Sequence, residues 1–181
     1  MVREAHATLD PQNIGTWLVK EVNQWIPAPC WAVIAPDING RLAFLAQKGL
    51  TSEIEPPVWR VANWVMVQAA GLTSADLSQD DRTGPGVAGS VLAFPLLSRG
   101  RTVGVLIALD PVRSASAPTI SPSVRAKMET LFELVALALD NALSFRKEEA
   151  LSITDDLTSL ANSRYLYLVL RREAKRAGRS G

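Results

Sequence analysis

Residues 94–106 read Phe94-Pro95-Leu96-Leu97-Ser98-Arg99-Gly100-Arg101-Thr102-Val103-Gly104-Val105-Leu106. Two apolar runs, 91–97 and 102–109, flank the polar segment Ser98-Arg99-Gly100-Arg101, which is the pattern of a hairpin. In the second run Val103, Val105 and Ile107 fall on one face, while Gly104, Leu106 and Ala108 fall on the other. Both faces are apolar, so both must be covered, and the pair predicts central strands of a sheet. Gly104 supplies the small residue needed where a sheet lies against a helix or a ligand.

Working upstream, residues 11–26 carry Ile14, Trp17, Leu18, Val22, Trp25 and Ile26 near helical spacing, with Lys20, Glu21 and Gln24 elsewhere. This predicts an amphipathic helix ended by Pro27 and Pro29. The runs 30–35 and 42–46, around Asp37-Ile38-Asn39-Gly40, predict a hairpin whose Gly or Asn turns the chain through positive φ. A second helix is expected from Pro56 or Pro57 through Val58, Trp59, Val61, Ala62, Val65 and Met66, with Gly71 as its cap. Residues 72–86 show no sustained periodicity and predict a long loop of the kind that often carries function. Downstream, Ser121-Pro122 gives an N-cap followed by a favourable first-turn residue, and a long helix is expected to about residue 153.

This order of helix, hairpin, helix, loop, two central strands and long terminal helix resembles the GAF domain, a sensory module. The phrase 94–106 carries the likeness together with Ala35-Pro36-Asp37-Ile38-Asn39-Gly40-Arg41-Leu42. The resemblance implies an α+β fold over residues 1–150, an antiparallel sheet covered by helices on both faces with a long C-terminal signalling helix. PAS, with a more interrupted helical middle and another strand order, is the alternative. A GAF pocket would lie between one sheet face and the middle helix with its following loop. There the resemblance implies Phe44, Trp59, Asn63 and Trp64 as walls, with Asp80, Asp81, Arg82 and Ser90 as polar contacts. Taken singly, Trp59 and Trp64 are explained by core packing, and Asp80-Asp81-Arg82 by a local ion pair in a solvated loop.

Beyond the long helix, Thr154, Asp155 and Asp156 offer acceptor side chains that break it. Asp155, Leu157, Thr158, Leu160, Asn162 and Arg164 then resemble the D-x-L-T-G-L-x-N-R-R opening of GGDEF domains, with Ser159 and Ser163 departing from the pattern. GGDEF domains are the catalytic domains of diguanylate cyclases. The resemblance implies that residues 151–181 are a linker and the first part of such a domain, in a parent protein using GTP and Mg to make cyclic di-GMP. Its carboxylates and GG[DE]EF loop would lie further downstream. The chain is thus expected to be a truncation with no catalytic residue of its own.

The 181 residues, 48% apolar, suffice for about one domain with appendages. A net charge of +1 gives no global attraction to nucleic acid or membrane. The tail after Asn162 holds six of nineteen basic residues, which leaves a nucleic-acid-binding module as a rival reading, although aromatic interleaving is missing. One cysteine, Cys30, excludes an internal disulfide and suits the cytoplasm. No run approaches the ~20 apolar residues of a membrane span. No metal site is expected and the ligand stays unknown. The N-K-x-F-x-D-E phrase of cyclic-nucleotide-binding GAF domains is absent, Cys30 sits too early for bilin attachment, and the lone His6 offers haem only a frayed terminus.

Between residues 131 and 143 only Glu133, Asp140 and Asn141 interrupt an apolar run. A stripe through Met128, Leu131, Val135, Ala138, Ala142 and Phe145 is expected to serve one partner while Leu134, Leu137 and Leu139 point elsewhere. One partner would be the domain's own sheet and the other the same helix of a second subunit, giving a homodimer. A ligand-free dimerising scaffold is the alternative to a sensor.

Overall fold

The computed structural model describes residues 10–84, 88–112, 116–151 and Tyr167. Asp10 opens the first helix, α1 (Pro11–Trp25), its carboxylate accepting the Gln12 amide at 2.9 Å with Pro11 in the first turn. Strands β1 (Cys30–Pro36) and β2 (Leu42–Lys48) pair antiparallel through the expected turn. There Asp37 Oδ1 accepts the Asn39 and Arg41 amides, and Gly40 sits at φ 78°. Helix α2 (Glu55–Gln68) is followed by β3 (Leu72–Ser74), a 3-10 turn (Leu77–Gln79), β4 (Ser90–Ser98), β5 (Arg101–Asp110) and α3 (Pro122–Leu151). Ser121 caps α3 as expected, its carbonyl accepting the Arg125 amide at 2.9 Å and its hydroxyl the Val124 amide at 3.4 Å.

Two sequence expectations are corrected. Helix α2 ends at Gln68, well before Gly71, because Ala69 itself turns left-handed at φ 50° and its amide bonds the Val65 carbonyl. Segment 72–86 is not a bare loop: Leu72, Thr73 and Ser74 pair with Ala93, Leu92 and Val91, and the Leu77–Gln79 turn follows. Three residues of strand are too few to show a period-2 signal.

The five strands form one antiparallel sheet in the order β2-β1-β5-β4-β3. On one face Cys30, Ala32 and Ile34, Val105, Ile107 and Leu109, and Val91 and Ala93 meet Val58, Val61, Ala62 and Val65 of α2. Each fully buried valine of that helix contributes about 1.5–3 kcal/mol. The opposite face, including buried Trp31, Leu96 and Leu106, is covered by α1 and α3. Trp31 donates its Nε1–H to Asn23 Oδ1 of α1 at 2.9 Å. From α3, Phe132 packs on Phe94 with ring centroids 5.4 Å apart.

The chain divides into two compact units, Met1–Ala142 and Leu143–Gly181. The first holds the sheet, α1, α2 and most of α3; the second, in its described residues, holds the end of α3 and Tyr167.

Helix α3 corrects the expected pairing stripe. Met128, Val135 and Ala142 are buried inside the chain together with Ala136 and Leu139, so they are unavailable to a second subunit. Leu131, Ala138 and Phe145 remain wholly or partly exposed, and Leu134 and Leu137 join them. The sequence gives nearly every turn of this helix an apolar residue on each side, so its pattern alone does not choose which side meets the sheet.

Candidate functional site

Two regions follow from the elements above: the face between the sheet and α2, and the outer face where α1 and α3 lie side by side.

On the α2 side the expected pocket residues fall into two groups. Phe44 of β2 and Trp59 of α2 stack with centroids 4.4 Å apart at a 49° tilt, and Trp59 donates its Nε1–H to Glu55 at 3.2 Å. Leu42, Phe44, Leu50, Trp59, Trp64 and Met66 all pack against the buried core as partly buried side chains. Asn63 is exposed and donates its amide to the Trp59 carbonyl one turn back at 2.9 Å.

Trp64 instead faces the segment after β3. The Arg82 guanidinium lies 5.6 Å from its ring centroid, a cation–π contact. Arg82 donates through two nitrogens to Asp80, at 2.8 and 2.6 Å, and to the Thr73 carbonyl at 2.9 Å. Its hydrogen bonds are the main reason that the Asp80 carboxyl is pulled down to about 2, with Ser74 adding to the effect, while Asp80 in turn raises Arg82. Asp81 is exposed, and Ser90 is buried at the start of β4 opposite Asp110. Asp76 accepts the Ser78 amide and hydroxyl and the Gly89 amide, tying the segment to the root of β4. Chemically, this face offers apolar walls and one paired ion. Among the described residues no group of three His, Cys, Asp or Glu side chains is placed to hold a metal.

Cys30 is a buried, small apolar residue, its thiol donating to the Gly49 carbonyl at 3.0 Å. Burial first, and the charge of Asp110 second, push its pKa up, which keeps it protonated and unreactive.

On the outer face, Asn13, Ile14 and Trp17 of α1 and Leu131, Leu134, Val135 and Ala138 of α3 line an apolar groove of about 410 Å³. Trp17 is 47% exposed and Leu134 64%, unusually open for such large apolar side chains. Trp17 was legible only as a member of the α1 stripe; nothing in its own spacing marks it as the member that faces outward. Asp140 is the other residue missed. It is buried within the apolar run, and its place there as a carboxylate flanked by Leu139 and Ala142 was the available signal. The motif residues Asp155, Leu157, Thr158, Leu160, Asn162 and Arg164 lie outside the described residues, as does His6. No described helix is long and apolar enough to cross a membrane.

The architecture is shared with solved GAF domains. The GAF domain of an Acinetobacter phosphoenolpyruvate-protein phosphotransferase superposes with a TM-score of 0.58 at 16% identity, covering 80% of this chain and 91% of that one. A GAF domain/HD domain protein from Geobacter sulfurreducens gives 0.56 at 18% identity, over 76% and 97% of the two chains. The GAF-B domain of DevS from Mycobacterium smegmatis gives 0.53 at 22% identity, over 77% and 99%. No protein-family model and no curated protein matches the chain. The fold is GAF-like: a five-stranded antiparallel sheet with helices on both faces and a long C-terminal helix.

Proposed function

We propose that this chain is the regulatory GAF module of a cytosolic diguanylate cyclase. Ligand binding or dimer state in the sheet domain is relayed through α3 to a GGDEF output domain. Two such domains must meet, because cyclic di-GMP is assembled from two GTP molecules. The chain itself is non-catalytic on this reading and pairs with a second copy through α3. The observation that carries it is the open apolar arc of Leu131, Leu134, Leu137 and Ala138 on a helix whose other side is already buried. The groove beside Trp17 and the GGDEF-like phrase 155–164 support it.

Sedimentation of the purified chain tests the proposal: a dimer at micromolar concentration that Ala138→Glu converts to monomer supports it. A fully dimeric Ala138→Glu protein removes the helix pairing. Incubation with GTP and Mg should yield no cyclic di-GMP, and turnover by this chain would refute the non-catalytic assignment.

A ligand-free scaffold is the second reading, favoured by the stacked Phe44–Trp59 pair and the packing of Trp64 on the face where a ligand would lie. Native mass spectrometry of the protein as purified separates the two: a retained small molecule supports the sensor, and a bare polypeptide mass the scaffold.

A further inference from the structure

We infer that Asp140, with Leu139 beside it, is the device that sets the rotational phase of α3 and so decides which residues of that helix face outward. Asp140 is 1% exposed, yet it lies in a helix with apolar side chains on nearly every side. Ser98 Oγ donates to its Oδ2 at 2.9 Å, Arg101 donates to its Oδ1, and Arg99 Nη1 stands 3.9 Å from Oδ2. Arg99 also reaches the neighbouring Asn141 Oδ1 at 3.4 Å. All three partners come from one place, the tip of the β4–β5 hairpin. Arg99 and Gly100 turn there with φ of 49° and 76°, the two-residue turn that holds Ser98 opposite Arg101.

The physical need for such a device lies in the helix itself. Leu131, Leu134 and Leu137 are as apolar as Val135, Ala136 and Leu139, so burial alone distinguishes weakly between one rotation of α3 and the next. A carboxylate distinguishes more sharply, because rotated inward it would stand unpaired in an apolar layer, and rotated outward, to where exposed Asn141 stands, it would give up its donors on the hairpin. One residue of helical rotation, about 100°, would carry Asp140 away from the hairpin tip. Leu139 adds a steric key of independent origin. A Cβ at Gly104 of β5 would meet Leu139 Cδ2 at 3.1 Å, so the leucine fills the place that a larger residue would occupy. The carboxylate and the leucine are adjacent, near Ala142, the last residue of the first compact unit. The phase claim stands on this packing; its consequence for signalling rests on the reading of α3 as the output helix.

The test uses the full chain with Cys30→Ala and single cysteines placed in turn at 134, 135, 136 and 137, and follows alkylation by iodoacetamide. The reactions are run at protein concentrations at which sedimentation shows monomer, so that the pattern reports phase rather than dimerisation. With Asp140 intact, 134 and 137 should react at least about tenfold faster than 135 and 136. Asp140→Leu, which removes the charge and keeps the branching at Cγ with bulkier methyl groups, should collapse that contrast while thermal unfolding stays cooperative. Should Asp140→Leu fail to fold, Arg101→Met, which takes away one donor from an exposed position, is read in the same way. An unchanged contrast in the folded variant overturns the inference. Loss of dimer in Ala138→Glu without any change of phase in Asp140→Leu would uphold the pairing and sink the phase device, so the two claims fail separately.

Discussion

Leu139 of α3 sits directly over Gly104 of β5, so near that a methyl group on the glycine would come within 3.1 Å of Leu139 Cδ2 and of the Ile34 carbonyl oxygen. The leucine can give by changing its rotamer, but the carbonyl belongs to a strand paired on both sides. Gly104→Ala should therefore destabilise the domain by about 1–3 kcal/mol through overpacking. For a chain of this size that lowers Tm by roughly 2–4 °C per kcal/mol. A melting temperature equal to or above that of the parent would show that the strand moves aside without cost.

Trp31, fully buried, depends on Asn23 for its indole hydrogen bond, and Asn23 Oδ1 also accepts from Lys48 Nζ at 3.2 Å. Asn23→Leu leaves the indole N–H facing an apolar neighbour and should cost about 1–3 kcal/mol in urea unfolding. Trp31→Phe removes the donor at the price of a small cavity. The double variant should then be less destabilised than the sum of the singles, because the unsatisfied donor is gone. Additive losses would mean that the hydrogen bond contributes nothing beyond packing.

The sheet was legible because its residues obey one simple rule. Residues 91–97 and 102–109 alternate with both faces apolar, which only a covered sheet tolerates, and Gly40 and Gly104 stand where a turn and a close approach require them. The end of α2 was not legible, since Ala69 adopts a left-handed cap usually left to glycine while Gly71 waits two residues on. The outer face was half legible. Spacing put Ala138 and Leu131 on one stripe, but the same stripe included Met128, Val135 and Ala142, which are buried inside the chain. In a helix apolar on all sides the facing surface is chosen by tertiary partners, here a hairpin tip more than 35 residues away in sequence. The pocket residues Trp59 and Trp64 share a helix yet turn to different neighbours, Phe44 and Arg82, which single-residue reading does not reveal.

Cys30 should be a slow thiol. Burial and the negative charge of Asp110 both raise its pKa, so little thiolate forms at pH 8 and the sulfur is shielded from solvent. Iodoacetamide should modify it at least about a hundredfold more slowly in the native protein than in concentrated urea. Comparable rates in the two conditions would mean that β1 opens readily at its first residue.

The Asp80–Arg82 pair should make stability depend on acid pH. Asp80 titrates at about 2 in the folded chain, below the ordinary carboxylate value of ~3.9. Its contribution is accordingly complete above the unfolded value and is lost as pH falls through about 2. Arg82 is 42% exposed on its side chain, so screening limits the pair to on the order of 1 kcal/mol. Arg82→Met should be less stable than the parent at pH 6, and the gap should narrow as pH is lowered towards 2. It should not close completely, because the contact with Trp64 and the bond to the Thr73 carbonyl do not depend on Asp80. A gap independent of pH would show that the ion pair adds nothing to the arginine's packing.

Trp17 and Leu134 extend the pairing prediction from one helix to two. They line the same groove from α1 and α3, and both are more open to solvent than large apolar side chains ordinarily are. If a second copy covers α3 alone, Leu134→Glu should abolish the dimer while Trp17→Glu leaves it intact. If the groove as a whole is the contact, either charge should weaken association by at least about tenfold, which is ~1.4 kcal/mol, with little effect on the thermal stability of the monomer. Sedimentation equilibrium over a concentration series measures both variants on one scale. The second outcome is expected, because the indole of Trp17 stands beside Leu131 and Leu134 and would otherwise keep half its surface in water at the edge of the contact. Weakening by Trp17→Glu but not by Leu134→Glu would move the contact to α1 and remove α3 from it.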